Sequence, residues 1–386
     1  MPAPAALFPF RLPPPAEGRV DLLVVAGEHS GDEHAARLVR ELRGREPGLK
    51  VAALGGPALA AAGAQLLHDL TATSVVGFVE VLRHFSFFRA LHDETLRWIA
   101  EHGPAAVCFV DYPGLNLRLA AAMRARGLSV KGGGRIKALY YISPQIWAWK
   151  AGRRFTMARD LDGMAVIFPF EVKCYADTAL PVEFVGHPFV APDYVPPVSY
   201  DPAGPVLLLP GSRRQAVARI FPVLVAGCRA LDERPALALY PSAEVADELR
   251  RVLQGDERAV ALAPVGGGGF KASAVLTSSG TMSMHCALAG IPGAIAYRTS
   301  PLTYFLARRL VRVPHLGIAN LLLDTPMYPE FIQGAAQPAA LAAELRACLH
   351  DPARRARAAV QAAEVRARLS EPAGHTAAEW LQRYLK

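Results

Sequence analysis

The chain reads as an α/β protein of two Rossmann-like halves, and three observations in its 386 residues carry that reading. First, short apolar runs such as Val20–Ala26, Ala105–Val110, Val206–Leu209 and Ala272–Leu276 alternate with longer segments of helical spacing, as buried parallel strands alternate with crossover helices. Second, Ala191–Pro205 carries five prolines and almost no periodicity, so it reads as a linker between the halves. Third, two strands of the second half run into turns that open helices, Pro210-Gly211-Ser212-Arg213-Arg214 and Ser278-Ser279-Gly280-Thr281. Free N–H groups gather at a positive helix end, which favours phosphate; two such ends, one with arginines, point to a diphosphate. Taken alone, either turn reads more readily as an ordinary helix cap; it is the second turn, with its arginines, that shifts the balance.

Length favours two domains, each able to bury a core, and 52% hydrophobic with 20% charged residues is a globular composition. A net charge of +8 asks for an acidic partner. The arginines are spread along the chain and no nucleic-acid-binding module is present, so the expected partners are phosphates on small or lipid molecules, and no nucleic acid. Cys108, Cys174, Cys228, Cys286 and Cys348 are scattered and never paired as C-x-x-C, which implies a reduced compartment and no zinc knuckle. The start, MPAPAALFPFRLPPP, is too proline-broken for a signal peptide, and no apolar run reaches the ~18 residues of a spanning helix. A cytoplasmic protein is expected.

In chain order, Met1–Gly18 is expected to be a disordered, proline-rich tail, followed by domains at 19–195 and 196–365 and a C-terminal helix at 366–386. The strand Val20–Ala26 runs into Gly27-Glu28-His29-Ser30-Gly31-Asp32 before a helix at Ala35–Leu42. That turn lacks both the dinucleotide fingerprint G-x-G-x-x-G and the nucleophile elbow G-x-S-x-G, so neither a dehydrogenase nor an α/β-hydrolase is supported. Glu28, His29, Asp32, Glu33 and His34 aim in several directions from a turn and a first helical turn, so no metal site is expected. A strand at Val51–Leu54, a small helix and a strand at Val75–Leu82 follow. The segment Arg83–Trp98, with Phe85, Phe87 and Phe88 among Arg83, His84, Arg89 and Arg97, suits a membrane interface or an ordinary core-facing helix.

Ala105–Val110 ends at Asp111, a carboxylate at the tip of a parallel strand, where open α/β sheets carry their chemistry; it could equally cap the helix Leu115–Arg126. After a basic loop (Lys131–Lys137) and a strand (Ala138–Tyr141) comes Ser143-Pro144-Gln145-Ile146-Trp147-Ala148-Trp149-Lys150, whose tryptophans could wall a sugar or lipid site or simply pack. Strands at Met164–Ile167 and Val182–Val185 close the first half. The second half has strands near Val206–Leu209, Ala236–Leu239, Ala259–Leu262, Ala272–Leu276 and Gly293–Ala296. Asp351-Pro352 then opens a helix to about Leu369, with a last helix at Thr376–Leu385.

These residues together resemble the lipid-A-disaccharide synthases. The likeness rests on AGEHSGD (26–32), VGFVEVL (76–82), VDYPGLN (110–116), YISPQIWAWK (141–150), FPFE (168–171), FVGHP (184–188), LLPGSRR (208–214), SSGT (278–281), AYR (296–298), ANLL (319–322) and PEFIQ (329–333), in the same order. The resemblance implies a GT-B fold: two Rossmann-like domains facing a cleft, with C-terminal helices crossing back to the N-terminal domain. It implies an inverting transfer of a 2,3-diacylglucosamine unit from its UDP derivative to the 6-hydroxyl of 2,3-diacylglucosamine 1-phosphate, with no cofactor and no metal. It implies Asp111 as general base. The UDP donor falls to Gly211, Ser212, Arg213, Ser279, Gly280, Thr281, His285, Asn320 and Gln333, and the acceptor or lipid side to Ser30, Gly31, Asp32, Ser143, Trp147, Phe87 and Phe88. An anionic inner-membrane surface is the implied location, and a homodimer is one assembly it allows.

The chain departs from the family pattern at Ala216 and His285, where PGSR-x-x-E and SGT-x-x-x-E carry glutamate, and at Gly114, where the family has a second aspartate. Two alternatives therefore stay open: a transferase using another nucleotide sugar, and a non-catalytic lipid or nucleotide binder. Retention of both Asp111 and Arg213 favours catalysis.

Overall fold

The computed structural model describes residues 11–73, 85–254, 260–301, 304–305, 309, 313–323 and 325–386. They divide into two compact units, one running to Pro188 and including Pro372–Lys386, the other Phe189–Glu371. The expected strand Val75–Leu82 and the motif at 76–82 lie outside the described residues.

In the first unit, β1 (Leu22–Ala26), β2 (Val51–Gly55), β3 (Gln65–Asp69), β4 (Ala106–Val110), β5 (Lys137–Tyr141), β6 (Gly163–Val166) and β7 (Val182–Phe184) form one parallel sheet in the order β3-β2-β1-β4-β5-β6-β7. Every residue of β1, β2 and β4 is buried, which is why these strands are apolar throughout instead of alternating. Helices α1 (His29–Arg45), α2 (Pro57–Ala61), α3 (Phe85–His102), α4 (Pro113–Ala125) and α5 (Arg153–Asp160) connect them. From β1 the chain builds outward to β3, then returns to lay β4 on β1's other side, with Ala26 opposite Val110. The reversal makes β1/β4 the switch point of the sheet, and the turns after Ala26 and Val110 emerge there side by side.

Residues 11–18, expected in the disordered tail, are instead held on α3 and β3. Leu12 is buried and its N–H donates to Glu94 Oε1 at 2.7 Å, the Trp98 indole donates to Pro13 O at 2.8 Å, and Ala16 N–H donates to Gln65 Oε1 at 2.8 Å. A buried apolar anchor and saturated backbone groups outweigh the proline bias of the segment.

The second unit contains β8 (Val198–Tyr200), β9 (Val206–Leu209), β10 (Ala236–Tyr240), β11 (Val260–Pro264), β12 (Phe270–Ala272), β13 (Ala274–Thr277), β14 (Gly293–Tyr297) and β15 (Glu330–Ile332). Six strands form a parallel sheet in the order β11-β10-β9-β13-β14-β15, while β8 pairs with β12. Thus the proline-rich linker contains a strand, and the run expected as one strand at Ala272–Leu276 is two. Ser273 divides them, its N–H turned to Pro205 O at 3.0 Å. Helices α6 (Arg214–Leu231), α7 (Ala243–Leu253), α8 (Thr281–Leu288), α9 (Ile318–Leu322), α10 (Pro338–His350) and α11 (Pro352–Leu369) complete the unit; Asp351 caps α11 by accepting from Ala353 N at 2.8 Å. The switch point is β9/β13, with Leu209 opposite Thr277.

The last helix, α12 (Ala377–Leu385), returns to the first unit, as expected. It buries Trp380 and Leu381, while Glu379 meets Arg45 at 2.8 Å and Gln382 donates to Glu46 at 2.5 Å.

Candidate functional site

At the first switch point Asp111 leaves β4 with φ +45°, and Tyr112 follows at φ +49°, a left-handed pair that non-glycine residues rarely adopt. Three polar groups hold the turn. Tyr140 donates its hydroxyl to Asp111 O at 2.5 Å, Asn116 Nδ2 donates to the same oxygen at 2.7 Å, and Asp111 N–H donates to Tyr141 O at 3.0 Å. Burial, reinforced by the nearby Asp111 charge, pushes the Tyr140 phenol well up, so it remains a donor at any working pH. Gly27 is required opposite: a Cβ there would lie 2.2 Å from the Tyr112 ring. The strained turn thus presents a half-buried Asp111 carboxyl at the sheet's C-terminal edge.

Beyond the tip of β6, two strands along the sheet, stands a second carboxyl that the sequence reading passed over. Glu171 is only 2% exposed; Trp147 Nε1 donates to its Oε1 at 3.1 Å and Phe168 N–H to its Oε2 at 3.2 Å. Burial pushes its pKa up to about 8, with the Asp111 charge adding to the rise, so Glu171 carries its proton at neutral pH. Ser143 is buried and its hydroxyl lies 2.6 Å from that of Tyr175. Trp147 faces Phe170 edge-on at 5.5 Å, which makes it a wall of this interior cluster. The FPFE motif was the available signal for Glu171.

At the second switch point the two phosphate-type turns come together. Ser278 N–H donates to Leu209 O at 2.8 Å, and a Cβ on Gly211, whose φ is +105°, would stand 3.0 Å from Ser278 Oγ. Ser212 and Arg213 are exposed, and Arg213 stands at the N-cap of α6 with no side-chain cap. Arg214 turns to the buried Glu248 at 3.3 Å. Gly280 is the N-cap of α8, also without a side-chain cap, and Thr281 is exposed while Ser279 is half-buried. Neither helix start is capped by a side-chain bond, and helix starts beside an arginine are suited chemically to a dianion.

Four expected contacts have other duties. Asp32 is buried and directs both carboxylate oxygens to the start of α2, accepting from Gly56 N at 2.7 Å, Ala58 N at 2.9 Å and Leu59 N at 3.3 Å, so its carboxylate serves as a cap. His285, expected at the donor, lies on the buried side of α8 with its ring 4.0 Å from that of Phe189 and parallel to that of Tyr194, whose hydroxyl meets Nδ1. Asn320 is fully buried, donating to Tyr328 O and Glu330 Oε1 and accepting from Tyr328 N. Gln333 exchanges two bonds with the backbone of Thr299, at 3.2 and 3.3 Å. His285 lies little more than one turn past the N-cap of α8, on the helix's inward face, and the amides are consumed by backbone groups that would otherwise be orphaned.

Ser30 is half-buried and Gly31 buried, both within the first turn of α1 beside β4. Phe87 and Phe88 are half-buried on the first core, 5.6 Å apart edge to face. Among the described residues no three His, Cys, Asp or Glu side chains gather as metal ligands.

The lipid-A-disaccharide synthetase family profile matches residues 22–382. A lipid-A-disaccharide synthase of Geobacter metallireducens is 38% identical over 350 residues, covering 86% of this chain and 88% of the relative. One from Nitrosococcus oceani is 36% identical over 347 residues, covering 86% and 88%. Among solved structures, the UDP-GlcNAc 2-epimerase of Neisseria meningitidis superposes with a TM-score of 0.58 at 11% identity (94% of this chain, 98% of that one), and the calicheamicin glycosyltransferase CalG4 with 0.53 at 16% (95% and 98%). At these identities they show the fold alone, two parallel α/β units of the GT-B kind.

Proposed function

This chain belongs to the lipid-A-disaccharide synthase family of glycosyltransferases, and from that premise we propose that it joins UDP-2,3-diacylglucosamine to 2,3-diacylglucosamine 1-phosphate, releasing UDP. The observation that carries the reading is the clamped turn that presents Asp111 at the switch point of the first sheet. In this reading Asp111 takes the proton from the acceptor 6-hydroxyl as that oxygen attacks the anomeric carbon from the face opposite the diphosphate. Configuration inverts, and the electron pair of the breaking bond leaves with UDP. A positioned base of this kind contributes roughly 10²–10⁴-fold in rate.

The paired turns at Gly211–Arg213 and Ser279–Thr281 take the diphosphate, whose charge grows as the bond breaks; N–H groups and a guanidinium fixed in advance stabilise that growth. Glu171, neutral and held by Trp147, keeps a second negative charge away from Asp111. Ser30, Gly31, Ser143 and Trp147 line the acceptor side. Phe87 and Phe88 on α3, together with the positive net charge, suit acylated substrates at an anionic membrane face. The experiment is incubation of purified protein with both acylated sugars: a disaccharide 1-phosphate and an equivalent of UDP are expected, and failure of the pair to react counts against the reading.

A further inference from the structure

The buried cluster around Trp147 has an outward side that this chemistry leaves unused. Trp147 turns in toward Glu171, whereas Trp149, two residues on, is 39% exposed, and Phe155 at the start of α5 is 53% exposed. Lys150 Nζ lies 4.4 Å over the Trp149 ring, Arg153 Cζ lies 5.0 Å from it, and Arg154 Cζ lies 4.2 Å over Phe155. Arg154 is also paired with Asp177 at 2.6 Å. From Ser143 to Arg159 the chain has four cations and no acidic residue.

A single exposed aromatic needs no explanation. Two in seven residues, each with a cation over its ring, make a composite surface that enters a headgroup layer well. Indole prefers that layer, and the cations can meet phosphates there without leaving the rings. The segment follows β5, so it emerges from the same sheet edge as Asp111, where a lipid acceptor would arrive.

We propose that Trp149–Phe155 is a bilayer-docking surface that seats Trp149 and Phe155 among anionic lipid headgroups. Charge complementarity selects an anionic lipid surface as the occupant, and the inference rests on the reading that the substrates are acylated. Each cation near such a surface is worth about fivefold in affinity. The probe is the full chain with vesicles of phosphatidylethanolamine and phosphatidylglycerol, some carrying brominated acyl chains that quench nearby tryptophan. Quenching is expected in the wild type and is expected to disappear in Trp149→Phe, which conserves packing. Binding by Lys150→Ala/Arg153→Ala should fall roughly 10–25-fold with an unchanged circular dichroism spectrum. Binding to vesicles or acidic polymers without quenching, quenching that persists in Trp149→Phe, or undiminished binding of the double variant would overturn the proposal. Turnover of detergent-dispersed substrates by the same proteins tests the transferase reading separately, because it needs no bilayer.

Discussion

Arg213→Ala should weaken UDP far more than uridine, because the charge-assisted bonds of an exposed helix-start arginine, about 1.5–3 kcal/mol, concern only the phosphates. Titration calorimetry with both ligands checks this; equal losses would place Arg213 outside the diphosphate cradle. His285 leads to the opposite expectation from the one its motif position gives. Because its ring packs against Phe189 and Tyr194, His285→Glu should lower thermal stability instead of tightening UDP. Tighter UDP binding by His285→Glu in titration calorimetry would return His285 to the nucleotide.

Glu171 ties stability to pH. Its folded value of about 8 lies above an ordinary 4.5, so the native state holds a proton that the unfolded state has released throughout that window. The resulting stability is complete below about pH 4.5 and is lost as pH rises toward 8, at up to about 1.4 kcal/mol per pH unit. Denaturant titrations at pH 6 and 8 should show this loss in wild type and a flatter response in Glu171→Gln. Equal slopes would mean that Glu171 is ionised in the folded protein.

Among the elements, the loop–helix junction at α2 has a single side chain as its anchor. Asp32→Ala removes three bonds from a buried carboxylate to backbone N–H groups and should cost about 3 kcal/mol or more, measured as a lower denaturation midpoint. A neutral result would mean that water replaces the carboxylate. The element also shows what the sequence could not say: AGEHSGD looks like a ligand loop, yet its aspartate supports a neighbouring turn. Central strands β1, β4, β9 and β13 were legible because burial on both faces demands an unbroken apolar run. The edge strands β3 and β15 were not, since Gln65, His68, Asp69 and Glu330 dilute the pattern over three to five residues. Strand β8 was hidden by its flanking prolines and β12 by the glycine run before it, each strand being only three residues long.

At the scale of the whole molecule, the two doubly wound units were readable from strand–helix alternation, and the comparisons agree with that architecture, whereas the return of α12 was implied by the family resemblance. The proposed site was readable where a motif residue falls on a strand-to-helix turn of a central strand. Asp111, Arg213 and the Ser279–Thr281 turn stand at switch points that topology makes. Asn320 and Gln333 sit in equally recognisable motifs, but their amides satisfy backbone groups, a distinction that spacing alone does not carry.

The central claim is that Asp111 performs base catalysis in disaccharide formation, and turnover by Asp111→Asn measured beside UDP binding tests it most directly. The account predicts that wild-type protein converts the two acylated sugars to the disaccharide 1-phosphate, and that the variant, with UDP affinity nearly intact, is slower by roughly 10²–10⁴-fold. Wild-type turnover undiminished in Asp111→Asn would contradict it.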